Sequence, residues 1–82
     1  MFTVYVLYSP SFNKIYIGYT SNLEQRLLSH NGLGSKGWTK NYRPWILIYS
    51  ETINLKKEAM KREKEMKSAA GRRFIWGIIN NL

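Results

Sequence analysis

The first nineteen residues constrain the fold more than any other stretch. Residues 2–9, Phe-Thr-Val-Tyr-Val-Leu-Tyr-Ser, are β-prone and apolar on both faces, which suits the central strand of a sheet. Pro10-Ser11-Phe12-Asn13 reads as a turn, and residues 14–19 return as a second strand. If Ser9 pairs with Lys14 across that loop, Tyr5 lies opposite Gly18 and Leu7 opposite Tyr16. Residues two apart on a strand share a face, so Tyr5 and Tyr16 then point to one side. Gly18 carries no side chain and should leave an open floor beside Tyr5.

Ser21-Asn22-Leu23-Glu24 carries the Ser-x-x-Glu pattern of a capping box. It predicts a helix over about 22–30 that buries Leu23 and Leu27 and stacks Arg26 and His30, four apart, on one face. Asn31-Gly32 ends it. Residues 32–43 hold Lys36, Lys40 and Arg43 among glycines, with Trp38 and Tyr42, and read as a basic loop. Pro44 leads into a third strand, Trp45-Ile46-Leu47-Ile48-Tyr49-Ser50. Asn54 is placed to cap a helix running to Lys67, with a buried stripe of Leu55, Ala59, Met66 and Ala70 and with Arg62 and Glu63 at its edges. Gly71 should break the pattern, and residues 72–79 should form a last helix packing Phe74, Ile75, Ile78 and Ile79. The expected architecture is α+β, a small sandwich of order β-β-α-β-α-α. Its three-stranded, mainly antiparallel sheet is flanked by helices.

Eighty-two residues predict a single domain, 1–82, with one modest core. An apolar content of 44% argues for a folded chain, and the absence of cysteine excludes a disulfide framework, a thiol nucleophile and a zinc knuckle. Lack of cysteine also fits a reducing, cytoplasmic compartment. Met1-Phe2-Thr3-Val4-Tyr5 has no basic leader, and no apolar run approaches the roughly 20 residues that a membrane span requires. The net charge of +8 points to a polyanionic partner, with nucleic acid, DNA first, as the default.

Tyr5 in Val4-Tyr5-Val6-Leu7, the string Tyr16-Ile17-Gly18-Tyr19, Arg26, His30, Arg43-Pro44-Trp45 and the helix from Ala59 to Lys67 stand in the order that resembles the GIY-YIG nuclease family, closest to its small stand-alone members. The resemblance implies an endonuclease that hydrolyses nucleic-acid phosphodiesters with one Mg²⁺ or Mn²⁺. It implies Tyr5 as general base and Tyr16 as its hydrogen-bonding partner, although the two phenols can exchange these roles. Arg62-Glu63-Lys64 resembles the segment carrying the family's metal-binding carboxylate, which assigns Glu63 that role. Two departures bear on activity. Thr3-Val4-Tyr5 lacks the family's opening glycine, and Tyr19 stands where some repair nucleases of the family carry lysine, a loss that Lys36 or Lys40 could offset.

Each candidate also has an ordinary reading. Arg26 suits a phosphate because its planar fork holds two oxygens and stays charged, but a lone helix arginine is usually solvated. His30 can pass a proton or hold a phenol in place, yet a histidine near a helix C-terminus is often a surface residue. A phenol is a weak base unless a cation lowers its pKa, the part expected here of Arg26 and a metal. Glu63 has Lys67 at ion-pair spacing. Glu24 is accounted for by the cap and Glu58 by Arg62, while Glu51 and Glu65 have no place beside the stripe. Lys36, Trp38, Lys40 and Arg43 are the expected nucleic-acid contacts outside the catalytic centre. With no room for a specificity domain, a protein partner could supply specificity. The alternative is a catalytically degenerate fold that only binds DNA or RNA.

Overall fold

The computed structural model describes residues 1–31 and 41–82, so Lys36, Trp38 and Lys40 lie outside the described residues. Its elements are β1 (Phe2–Ser9), β2 (Lys14–Thr20), α1 (Leu23–Asn31), β3 (Ile46–Ile53), α2 (Lys56–Lys67) and α3 (Ala69–Asn80). The sheet runs β2-β1-β3 and is antiparallel throughout. The hairpin adopts the expected register, with Ser9 opposite Lys14, Leu7 opposite Tyr16 and Tyr5 opposite Gly18. Between Val6 and Leu7 the pairing with β3 slips, Val6 facing Tyr49 and Leu7 facing Leu47, so Ile48 is the extra residue of a bulge.

The pleat of β1 divides the core in two. Val4 and Val6 pack with Ile17, Ala59, Met66 and Ile75 on the side of α2 and α3. Tyr5 and Leu7 pack with Trp45 on the other side, next to Leu23 and Leu27 of α1. A strand covered on both faces has no solvent side to fill, which is why β1 carries no charge from Phe2 to Ser9. Arg62 pairs with Glu51 of β3, and the Tyr49 hydroxyl donates to the second oxygen of Glu51 at 2.9 Å, tying α2 to the sheet edge.

Several local expectations are corrected. Asn22, not Ser21, caps α1: its Oδ1 accepts from the Gln25 amide at 3.1 Å, and its own amide donates to the Thr20 hydroxyl. α2 starts after Leu55 without a side-chain cap, so Asn54 does not serve. Leu55 is 60% exposed and Ala70 is exposed as well, leaving Ala59 and Met66 as the buried stripe. Arg62 goes to Glu51 rather than Glu58 because the strand brings that carboxylate closer than the helix spacing does. The α2–α3 break falls at Ser68, whose hydroxyl caps α3 by accepting from the Gly71 amide at 3.2 Å. Gly71 therefore sits inside α3, where a Cβ would come within 2.4 Å of the Glu65 and Met66 carbonyl oxygens. Its role is close approach of two helices, not termination. Phe74, expected in the core, is 48% exposed and packs edge-on against Tyr49.

Candidate active site

Hairpin register and helix α1 together build the site. Tyr5 and Tyr16 lie on one face, their rings stacked at 6.2 Å and 27°. The His30 ring completes the cluster, 4.6 Å from Tyr16 and 6.0 Å from Tyr5, and its Nε2 lies 3.1 Å from the Tyr5 hydroxyl. Gly18 does not leave the floor open, as the sequence suggested. A Cβ there would meet the Tyr5 hydroxyl at 2.7 Å, so the space is occupied by the phenol itself. Glycine is needed because β2 and the Tyr5 side chain approach so closely.

A cleft of about 330 Å³ opens beside this cluster, lined by Tyr5, Tyr16, Gly18, Arg26, Lys56 and Glu63 among others. Tyr5 borders it as a floor yet exposes no surface to solvent, while Tyr16 is half-buried and Arg26 exposed. His30, 6% exposed, lies behind Tyr5 rather than in the cleft wall. Four of the five expected catalytic or metal-binding residues thus share one cleft, and the fifth reaches it through Tyr5. Arg43 is half-buried ahead of Trp45 and stands apart from this lining.

The electrostatics depart from expectation at Tyr5. Burial pushes its phenol up to about 12, and the neighbouring Tyr16 and Glu63 act in the same direction. A hydrogen bond and positive charge from Arg26 oppose this and lose, so Arg26 alone does not make Tyr5 a base near neutral pH. His30 moves the other way: burial, then the Arg26 charge, hold it below the usual histidine value, so it is neutral at pH 7. A neutral imidazole in its Nδ1–H tautomer accepts at Nε2 from the Tyr5 hydroxyl.

Among the described residues no group of three or more His, Cys, Asp or Glu is arranged to hold a metal. Glu63 is nevertheless a fitting single ligand. Its side chain is 19% exposed, it borders the cleft, and among the described residues it forms an ion pair with Lys67 at 3.3 Å across one helical turn. A hard divalent ion that keeps most of its waters needs no more than one or two protein carboxylates.

Two contributors were missed by sequence reasoning. Lys56, in the first turn of α2, brings a second cation to the cleft. Asn31 follows His30 and clasps the backbone of Trp45, donating from Nδ2 to its carbonyl at 3.0 Å and accepting from its amide at 2.6 Å. Neither has a local signal, since both act across long stretches of chain.

The family model described as "GIY-YIG catalytic domain" matches residues 1–75. The chain is similar to a UPF0213 protein of Staphylococcus haemolyticus, 49% identical over 57 residues, which are 68% of this chain and 68% of that protein. It is similar to a UPF0213 protein of Natronomonas pharaonis, 42% identical over 66 residues, 79% of this chain and 75% of that one. UPF0213 protein YazA of Bacillus subtilis is 46% identical over 52 residues, 62% of this chain and 52% of its own length. The matched stretch thus spans between about half and three quarters of these relatives. No solved structure matches the chain.

Proposed function

Since the chain belongs to the GIY-YIG family, whose domain is of nuclease type and acts on nucleic acid, we propose that this protein is an endonuclease that hydrolyses phosphodiester bonds, of DNA first, with one divalent cation. The observation that carries the reading is the Tyr5–His30 bond beside a cleft that also presents Arg26 and Glu63.

Arg26, exposed and always charged, receives the phosphate and is best placed to meet the charge that develops on its oxygens. The Tyr5 oxygen is enclosed in the free protein, so substrate entry has to open a path to it from the cleft; the attacking water then loses its proton to that oxygen as the Tyr5 proton passes to His30 Nε2. A phenol pushed up to about 12 then need never exist as a free phenolate. His30 acts through Tyr5 and is a positioning and proton-accepting residue. Tyr16 covers both and orients the phenol. Glu63 would hold the Mg²⁺ or Mn²⁺, which when bound supplies positive charge at the phosphate and lowers the pKa of water. Lys36, Trp38, Lys40 and Arg43 contribute to nucleic-acid binding rather than to the bond cleavage itself.

A second reading, a fold that binds nucleic acid without cutting it, is favoured by one observation: the Glu63 carboxylate already has the Lys67 ammonium as its partner. Nicking of supercoiled plasmid with and without Mg²⁺ separates the two. The enzyme nicks only with the metal, and Glu63→Gln, which keeps size and helix propensity, folds normally and loses metal-dependent nicking. Retention of the parental rate by Glu63→Gln overturns the single-metal mechanism. Binding with neither nicking of plasmid nor cleavage of a labelled single strand by the parent leaves the binding module.

A further inference from the structure

The catalytic cleft is not the largest concavity near the site. A groove of about 550 Å³ runs along β2, an outer strand of the sheet, and shares Tyr16 and Glu63 with the cleft. Its other side chains include Lys14, Lys67, Arg72 and Trp76. With Glu63 counted against the three cations, the groove carries two net positive charges. Lys67 offsets Glu63, which leaves Lys14 and Arg72, both exposed, to meet an anion. The Nε of Arg72 donates to the Lys67 carbonyl at 3.3 Å, a bond that anchors the guanidinium at the groove wall.

Aromatic rings accompany these cations. Trp76 is half-buried, set edge-on to Tyr8 at 6.1 Å and 86°, and borders the groove. At the groove's hairpin end the Lys14 ammonium stands 5.8 Å from the centre of the Tyr42 ring. Tyr42 in turn meets Phe12 edge-on at 5.3 Å, and Phe12 is 48% exposed, a large apolar ring half in water at the tip of a turn.

A groove pairing backbone cations with aromatic rings fits an unpaired strand rather than a duplex. Bases in a duplex have both faces stacked and offer only their edges, so a ring such as Trp76 can stack only on a base freed from its neighbours. The cleft agrees: its floor residue, Tyr5, has no exposed surface, and a flexible single strand follows a recessed path more readily than a stiff duplex. Resting on the nuclease reading above, we infer that the β2-edge groove receives an unpaired polynucleotide strand and leads its backbone into the cleft, so that the substrate class is single-stranded nucleic acid or a single-stranded branch. Lys14 and Arg72 track the phosphates, and Trp76 stacks on a base.

The test measures binding in metal-free buffer, so that cutting does not enter. Fluorescein-labelled oligo(dT), oligo(U) and a duplex of equal length are titrated with the full chain. The inference expects single strands to bind about tenfold or more tightly than duplex, and Trp76→Ala to weaken them about tenfold while leaving duplex binding unchanged. Trp76→Phe keeps most of the affinity. Preference for oligo(dT) or for oligo(U) then says which nucleic acid the groove takes. Because Trp76 also packs on Tyr8, a second variant on exposed residues, Lys14→Gln with Arg72→Gln, is needed. It should flatten the salt dependence of oligo(dT) binding by about 1.4 in log–log slope, two lost phosphates at about 0.7 each. Equal affinity for single strand and duplex, or an unchanged slope in the double variant, overturns the inference. Nicking by those same proteins leaves the nuclease reading standing whichever way the groove decides.

Discussion

At the scale of single residues, the proposed mechanism separates the groups that would touch a phosphate from those that would only support them. Arg26 is exposed in the cleft and near the Tyr5 hydroxyl, and its contact should strengthen as charge develops on the phosphate. Arg26→Ala should therefore abolish plasmid nicking while weakening DNA binding only slightly. Equal losses in the two assays would make it a plain phosphate-holding residue. Gly18 makes the opposite kind of contribution, by being small. A methyl at that position would come 2.9 Å from Tyr5 Cζ as well as 2.7 Å from the hydroxyl. Tyr5 has no free space to retreat into, so Gly18→Ala should cost about 1–3 kcal/mol in stability and break the His30 bond. Nicking should fall by more than the loss of folded protein explains. Unchanged activity in a stably folded Gly18→Ala protein would show that the 3.1 Å bond to His30 is not needed.

At the scale of elements, the position of His30 depends on how α1 ends. His30 is the penultimate residue of that helix, and Asn31 closes it by holding both polar groups of the Trp45 backbone, just ahead of β3. The Trp45 side chain is 3% exposed and packs with Tyr5 and Leu7, so the clasp fixes α1 against the same core that carries the phenol. Asn31→Ala removes two hydrogen bonds to the backbone of a buried residue, which should cost about 1–3 kcal/mol in chemical denaturation. Asn31→Asp keeps an acceptor for the amide but sets a carboxylate against the carbonyl, so it should not restore stability. Recovery of parental stability by Asn31→Asp would show that only the 2.6 Å bond matters.

At the scale of the whole molecule, two buried titrating groups of the site set opposite limits on stability. His30 is held below its ordinary 6.5 in the folded chain. As pH falls through 6.5 the unfolded chain takes up that proton first, so stability falls with it. Tyr5 behaves in reverse: below pH 10 both states keep the proton, and between 10 and about 12 only the unfolded chain loses it. Stability then drops, by up to about 3 kcal/mol, as pH rises through that window. Denaturant midpoints measured across pH should show both slopes. Tyr5→Phe should remove most of the alkaline slope and His30→Gln the acid one. An alkaline slope unchanged in Tyr5→Phe would assign it to other groups.

Local periodicity is enough to account for the strand that is buried on both faces, the hairpin register and the placing of Arg26 and His30 one turn apart on one helix. Each follows from a period of two or four along neighbouring residues, so local geometry suffices. The same periodicity puts Tyr5 and Tyr16 on one face. It could not say that the space at Gly18 is filled by the Tyr5 hydroxyl, because that depends on how closely two strands and a ring approach. Nor could it send Arg62 to Glu51 instead of Glu58, or Asn31 to the backbone of Trp45, since those partners lie 11 and 14 residues away and meet only in the folded chain. The charge state of the site belongs to the same class. Arg26 beside Tyr5 predicts a lowered phenol, and burial reverses the sign, because desolvation comes from the whole surrounding core rather than from any one neighbour.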